Sequence, residues 1–114
     1  MSRIVERVDL HVSTNVVAGV PMVSVEGVVD LATLGRLHGA LHRAVLAHPG
    51  RTLRVDLDGV SVLDDGGLGV LVGAAAAARE RGGDIELVCT GPALRQRLTA
   101  TRLDRIFEIR STVA

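Results

Sequence analysis

Aromatic side chains are almost missing from this chain: it has no Trp, no Tyr and a single Phe, Phe107, in 114 residues. A site that stacks bases or sugars on rings is therefore nearly excluded. Lysine is missing altogether, so all 13 basic side chains are arginines, and 13 Asp and Glu balance them to a formal net charge of zero. That neutrality removes the usual electrostatic reason for binding nucleic acid or an anionic membrane. The single cysteine, Cys89, allows neither an internal disulfide nor a Cys-rich metal site, and an isolated Cys suits a reducing compartment. The longest apolar stretch, Gly66 to Ala78, has 13 residues, short of the roughly 20 that a membrane-spanning helix needs. The charged start Met1-Ser2-Arg3-Ile4-Val5-Glu6-Arg7 has no uninterrupted apolar run of the signal-peptide kind. These absences lead to the expectation of a cytoplasmic chain with no membrane insertion and no nucleic-acid partner.

Apolar residues make up 47 % of the chain, too many for a disordered segment. The length fits one domain, residues 1–114, with a core from about residue 8 to residue 109. Val8, Leu10 and Val12 alternate with Asp9, His11 and Ser13, which predicts a first strand, with Asn15 as its kink or end. Ala18-Gly19-Val20-Pro21 reads as a turn. Met22, Val23, Val25, Val28 and Val29 read as a second strand interrupted by a bulge at Gly27, so the two form an antiparallel hairpin. Asp30 to Thr33 starts a helix, with either residue as its cap. Leu34, Leu37, Leu41 and Val45 form its apolar stripe, and His48-Pro49-Gly50 ends it. Leu53, Val55 and Leu57 give a third strand. Gly59 turns the chain, and Val60, Val62 and Leu63 step towards Asp64-Asp65-Gly66-Gly67. Leu68 to Arg81 is apolar on nearly all sides and predicts a mostly buried helix, stopped by Gly82-Gly83. Ile85, Leu87, Val88 and Cys89 give a fourth strand, and Gly91-Pro92 opens a short helix with Leu94 and Leu98 inside. The last cluster, Leu103, Ile106, Phe107 and Ile109, fits a final strand or a small helix. Alternating strands and helices predict a largely parallel sheet, made mixed by the opening hairpin.

The residues that draw chemical interest lie where the third strand delivers the chain to a helix start. Helix N-termini carry free N–H groups and partial positive charge, and Asp64 and Asp65 sit there. One reading is capping, with one Asp accepting the free N–H groups and the other in solvent. The other reading is a surface knuckle shown to a partner. A dinucleotide site built on Gly67, Gly69 and Gly73, with Glu86 as the ribose acid, is rejected because Asp64 and Asp65 would repel a pyrophosphate. His38 and His42 stand i, i+4 on one helix without a third ligand nearby, so they read as solvated rather than metal-binding. Cys89 reads as a buried inert thiol. Arg95, Arg97, Arg102, Arg105 and Arg110 read as a solvated face paired with Asp104 and Glu108, or as a patch for an acidic partner. Asp56, Asp58, Asp64 and Asp65 could in principle hold Mg²⁺, but Asp56 alternates to the sheet face opposite Leu57 and acids at strand ends usually serve as caps. No catalytic set, cofactor site or metal site emerges, and no enzyme activity is expected.

The segment Val55-Asp56-Leu57, Gly59-Val60-Ser61, Asp64-Asp65-Gly66-Gly67-Leu68-Gly69-Val70-Leu71 resembles the STAS domain family of the bacterial anti-sigma factor antagonist type. That family shows V-D-L, then G-V-S, then D-S-S-G-L-G-V-L. Gly27-Val28-Val29-Asp30 fits its upstream G-x-x-D, and Leu103 to Phe107 its closing L-x-x-x-F. The resemblance spans roughly Val8 to Ile109. It implies an α/β, STAS-type mixed β-sheet with helices packed mainly on one side. It also implies a partner switch in transcription regulation: the antagonist binds an anti-sigma factor that is a GHKL-type Ser kinase, and phosphorylation of the first Ser of D-S-S-G weakens the complex. Here Asp65 stands in place of that Ser, and Gly66 in place of the second. An Asp brings one fixed negative charge against roughly −1.5 to −2 for a phosphoserine, so Asp65 either imitates the phosphorylated state or suits a different partner. The expected contact residues are Asp30, Thr33, Asp64, Asp65, Gly66, Gly67 and Leu68, with Gly66 and Gly67 allowing the turn and Leu68 as apolar anchor. The alternative the resemblance allows is a non-switching STAS subunit of an ABC-type lipid or solute transport complex.

Overall fold

Period-two patterning does make the first strand. In the computed structural model, which describes residues 9–111, β1 (Leu10–Val17) runs antiparallel to β2 (Val20–Val29). Val8 lies outside the described residues. Asn15 neither kinks nor ends β1: it pairs with Met22, and its own Oδ1 accepts from Val16 N at 2.8 Å. The turn is also tighter than expected. Only Ala18 and Gly19 lie between the strands, at φ of 53° and 79°, the positive-φ pair that a two-residue hairpin requires. Val20 and Pro21 already belong to β2.

From β2 onward every pairing is parallel. β3 (Thr52–Leu63), β4 (Asp84–Val88) and β5 (Glu108–Arg110) add in sequence, giving the order β1-β2-β3-β4-β5. The crossovers are α1 (Leu34–Ala47), α2 (Asp65–Glu80), and α3 (Pro92–Ala100) followed by a single 3₁₀ turn, Leu103–Arg105. The C-terminal cluster is therefore both things its pattern allowed, a small helical turn and then a strand. Leu37, Leu41 and Val45 of α1, Leu68, Leu71, Ala75 and Ala78 of α2, and Leu98 of α3 join the inward residues of the sheet in one apolar cluster. The sheet's other face is mixed: Ser24 pairs with Asp56, Arg54 with Glu86, and Glu86 with Glu108 across adjacent strands, beside Met22 and Val88, which are buried outside that cluster. Arg36 ties α1 to the hairpin, donating to the Leu10 carbonyl at 3.0 Å and pairing with Asp9. Among the described residues no helix is long and apolar enough to cross a membrane.

Two expectations need correction. Gly59 does not turn the chain; β3 runs straight through it to Leu63. A Cβ there would press on Glu26 Cγ at 2.7 Å and the Val25 carbonyl at 3.1 Å, so this glycine lets β2 and β3 close up where their register slips between Ser24 and Glu26. Helix α2 is not mostly buried either. It begins at Asp65, and Gly69, Gly73 and Ala76 face water. A helix lying on one sheet keeps an outer side, and Gly and Ala expose so little apolar area that the outer side does not need polar residues.

Gly27 does mark an irregularity, with a second register shift between it and Val28. Its φ is +107°, and a Cβ would collide with the Asp9 carbonyl oxygen. Gly27→Ala is expected to lower the unfolding free energy by at least ~2 kcal/mol in urea denaturation. A loss under ~0.5 kcal/mol would show that neither the φ nor the Asp9 contact constrains this position.

Candidate functional site

β2 and β3 end side by side, with Val29 opposite Leu63. The chain leaving β2 passes through Asp30–Thr33 into α1, and the chain leaving β3 passes through Asp64 into α2. Asp64 N donates to the Val29 carbonyl at 3.1 Å, so the two exits are joined by a backbone bond. This brings Asp30, Thr33, Asp64 and Asp65 to one end of the sheet.

The first exit is a fixed turn. Asp30 Oδ1 accepts from Ala32 N at 3.0 Å and Thr33 N at 3.2 Å. Thr33 Oγ1 accepts from Asp30 N at 3.0 Å and donates to the Val28 carbonyl at 2.7 Å. Asp30 thus caps the turn that precedes α1, and Thr33, the N-cap residue, makes no side-chain bond to the helix, so neither residue caps α1 itself through its side chain. Thr33 is the one buried polar residue among those described. Its hydroxyl is used up inside the turn, so it supports the surface rather than forming it. The turn projects Leu31 outward, 87 % exposed. Val62, at the end of β3, is also exposed. Neither residue stood out in the sequence. Leu31 lies three positions before Leu34, on the spacing of the buried stripe, and only the Asp30 cap places it before the helix begins.

The second exit uses its two carboxylates differently, and both readings of them hold in part. Asp64 is the cap of α2, its Oδ1 accepting from Gly67 N at 2.9 Å. Asp65 lies in the first turn with its side chain 94 % exposed, in contact with Arg97 Nη2 at 2.8 Å. Gly66 and Gly67 do not serve a turn, since both already belong to α2 and neither has positive φ. Their role is space. A Cβ on Gly67 would lie 2.6 Å from both Val29 Cγ1 and Leu63 Cδ1, and one on Gly66 would lie 3.1 Å from Leu34 Cδ2. Leu68 is not an available anchor: it is buried in the core cluster. The exposed apolar side chains at this end are Leu31 and Val62.

The remaining candidates are held locally. Cys89 is buried and lines a cavity of about 360 Å³ with Leu57, Val60, Leu63 and Leu94. Burial, reinforced by the nearby Asp58 carboxylate, pushes its thiol above the usual range, which suits an unreactive sulfur. Asp56 Oδ1 accepts from Asp58 N, and Asp58 Oδ1 from Thr90 N. His38 and His42 are exposed, with parallel rings 6.1 Å apart. Among the described residues no group of three or more His, Cys, Asp or Glu could hold a metal. The C-terminal arginines do not form the expected ladder with Asp104 and Glu108. Arg97 reaches Asp65, Arg95 the Cys89 carbonyl, and Arg110 lies 3.9 Å from Glu86.

No curated protein sequence matches this chain. Among solved structures it is similar to an anti-sigma factor antagonist from Mycobacterium paratuberculosis, with 30 % identity over 92 % of this chain and 88 % of that one, at a TM-score of 0.82. It shares its fold with an anti-sigma-factor antagonist STAS domain protein from Planctomyces limnophilus, with 18 % identity over 89 % and 90 % of the chains and a TM-score of 0.74. The Bacillus cell fate determinant SpoIIAA in its phosphorylated form has the same fold, with 15 % identity over 89 % and 92 % and a TM-score of 0.65. The STAS domain family matches residues 11–114. With a mixed five-stranded sheet, three helices and this end-of-sheet knuckle in place, the chain belongs to the STAS domain family.

Proposed function

We propose that this chain is an anti-sigma factor antagonist whose docking surface is the knuckle formed by Asp30, Leu31, Val62, Asp64 and Asp65, and that its partner is an anti-sigma factor of the GHKL kinase type. The observation that carries this is Leu31. A single exposed leucine is ordinary on a protein surface, but this one is held in water by a turn that Asp30 and Thr33 fix through their own hydrogen bonds. An apolar side chain on a pre-fixed backbone loses no backbone freedom on docking, and an apolar anchor ringed by polar groups is the usual anatomy of an energetic centre in an interface. Asp30, Asp64 and Asp65 supply the ring. The relatives' description as anti-sigma factor antagonists favours this partner over a transport ATPase. The same reading places the chain in the cytoplasm and assigns it binding rather than catalysis.

The carboxylate at position 65 takes the chain out of kinase control, because it cannot accept a phosphoryl group as a Ser does. The seven residues expected from the motif then divide. Asp30, Asp64 and Asp65 face the partner, while Thr33, Gly66, Gly67 and Leu68 shape and support the knuckle from behind.

The test is isothermal titration of the wild-type chain against the purified anti-sigma factor kinases of its source organism. Leu31→Asp is expected to weaken the complex at least about tenfold, ~1.4 kcal/mol, with little change in the unfolding midpoint because Leu31 lies almost wholly in solvent. No binding by any of these kinases, or recovery of an ABC ATPase in their place, would overturn the reading. Incubated with the bound kinase and ATP, the wild-type chain is expected to show no phosphate on residues 61–69 by mass spectrometry. Asp65→Ser is expected to take up one phosphate at residue 65.

A further inference from the structure

Arg97 lies in the last turn of α3, 32 residues from Asp65 in sequence, and its Nη2 meets Asp65 Oδ1 at 2.8 Å. The partners differ in their freedom. The Asp65 side chain is 94 % exposed, while that of Arg97 is 37 % exposed, and Arg97 Nε is shut off from solvent without a hydrogen-bond partner. The inner part of the Arg97 side chain is thus buried, beside the cavity it lines with Leu63, Cys89 and Leu94. An exposed ion pair is usually weakened by the entropy of holding two long side chains together. Here one side chain is short and the other is already partly buried. Each charge also stands at the helix end that favours it, the carboxylate at the N-terminus of α2 and the guanidinium in the last turn of α3.

We propose that Arg97 is the built-in counter-ion of Asp65, a positioning residue that makes the knuckle present a neutral pair rather than a bare anion. The inference rests on the docking reading above and sharpens it. A phosphoserine brings roughly −1.5 to −2, more than one guanidinium cancels, whereas a single carboxylate is cancelled completely. Asp65 therefore does not imitate a phosphorylated state. It leaves the knuckle electrically like one that carries an uncharged residue, and the partner surface it suits is one without a cation opposite residue 65. Removing Arg97 alone would leave a carboxylate to be desolvated without compensation when the partner covers it, and that is costly. Removing both charges would not.

In titrations with the anti-sigma factor, Arg97→Gln is expected to weaken binding about fivefold and Asp65→Asn about threefold, since each leaves the other charge unpaired. The double variant Arg97→Gln/Asp65→Asn is expected to lose no more than Arg97→Gln alone, about threefold less than the product of the two, and Arg97→Lys to recover most of the loss. A double variant whose loss equals the product of the two single losses would overturn the proposal, because the two side chains would then act independently. A second measurement uses the chain by itself. By NMR the Arg97 Nε–H signal is expected to exchange slowly with water and to move in Asp65→Asn. A fast-exchanging, unmoved signal would remove the counter-ion whether or not an anti-sigma factor binds, so the failure of the pair and the failure of the docking reading are read separately.

Discussion

A missing methyl group at Gly67 decides where this molecule keeps its functional end. Helix α2 starts directly on the last residues of β2 and β3, so close that any side chain at position 67 would occupy the space of Val29 and Leu63. That approach lets Asp64 cap the helix while its own backbone N–H bonds to Val29. Two chain segments far apart in sequence are thereby locked at one end of the sheet. Shift α2 outward by the radius of a methyl group and the cap, the backbone bond and the position of Asp65 all change together.

On this frame, polar groups are sorted into those that hold and those that show. Thr33 and Asp64 each satisfy backbone groups that the turn and the helix start would otherwise leave unpaired, and such bonds are expensive to lose when shielded from water. Asp65 and Leu31 make no comparable contribution to the core. A stiff support beneath an exposed tip is the arrangement that the proposed docking reading requires. The Asp65 carboxylate meets its counter-charge within the chain, on Arg97 of α3.

The architecture was legible in the sequence because period-two and period-three-to-four patterns are set by which side of an element meets the core, and the core here is single and one-sided. Leu34, Leu37, Leu41 and Val45 read correctly for that reason. The glycines were harder. Gly27 interrupts a strand pattern and is an irregularity, but a turn at Gly59 and turn-makers at Gly66 and Gly67 are what the pattern suggests, when each makes room for a neighbour. A sequence shows that a side chain is missing, not what approaches the gap. The knuckle's location was likewise legible from the motif around Asp64 and Asp65. Which leucine is exposed there was not: Leu68 shares the motif yet is buried, and Leu31 shares the spacing of a buried stripe yet is exposed. Arg97 was visible only as one of several arginines, because a partner 32 positions away leaves no local pattern.

The sheet's two edges differ in length. β5 has three residues, two of them charged, whereas β1 has eight. A strand as short as Glu108–Arg110 offers too few free backbone groups to template another chain, and charge at an edge discourages it further. Growth of the sheet by strand addition is therefore blunted beside α3 and the Arg97 side of the molecule. Among the described residues, the longer run of edge backbone is that of β1 in the hairpin.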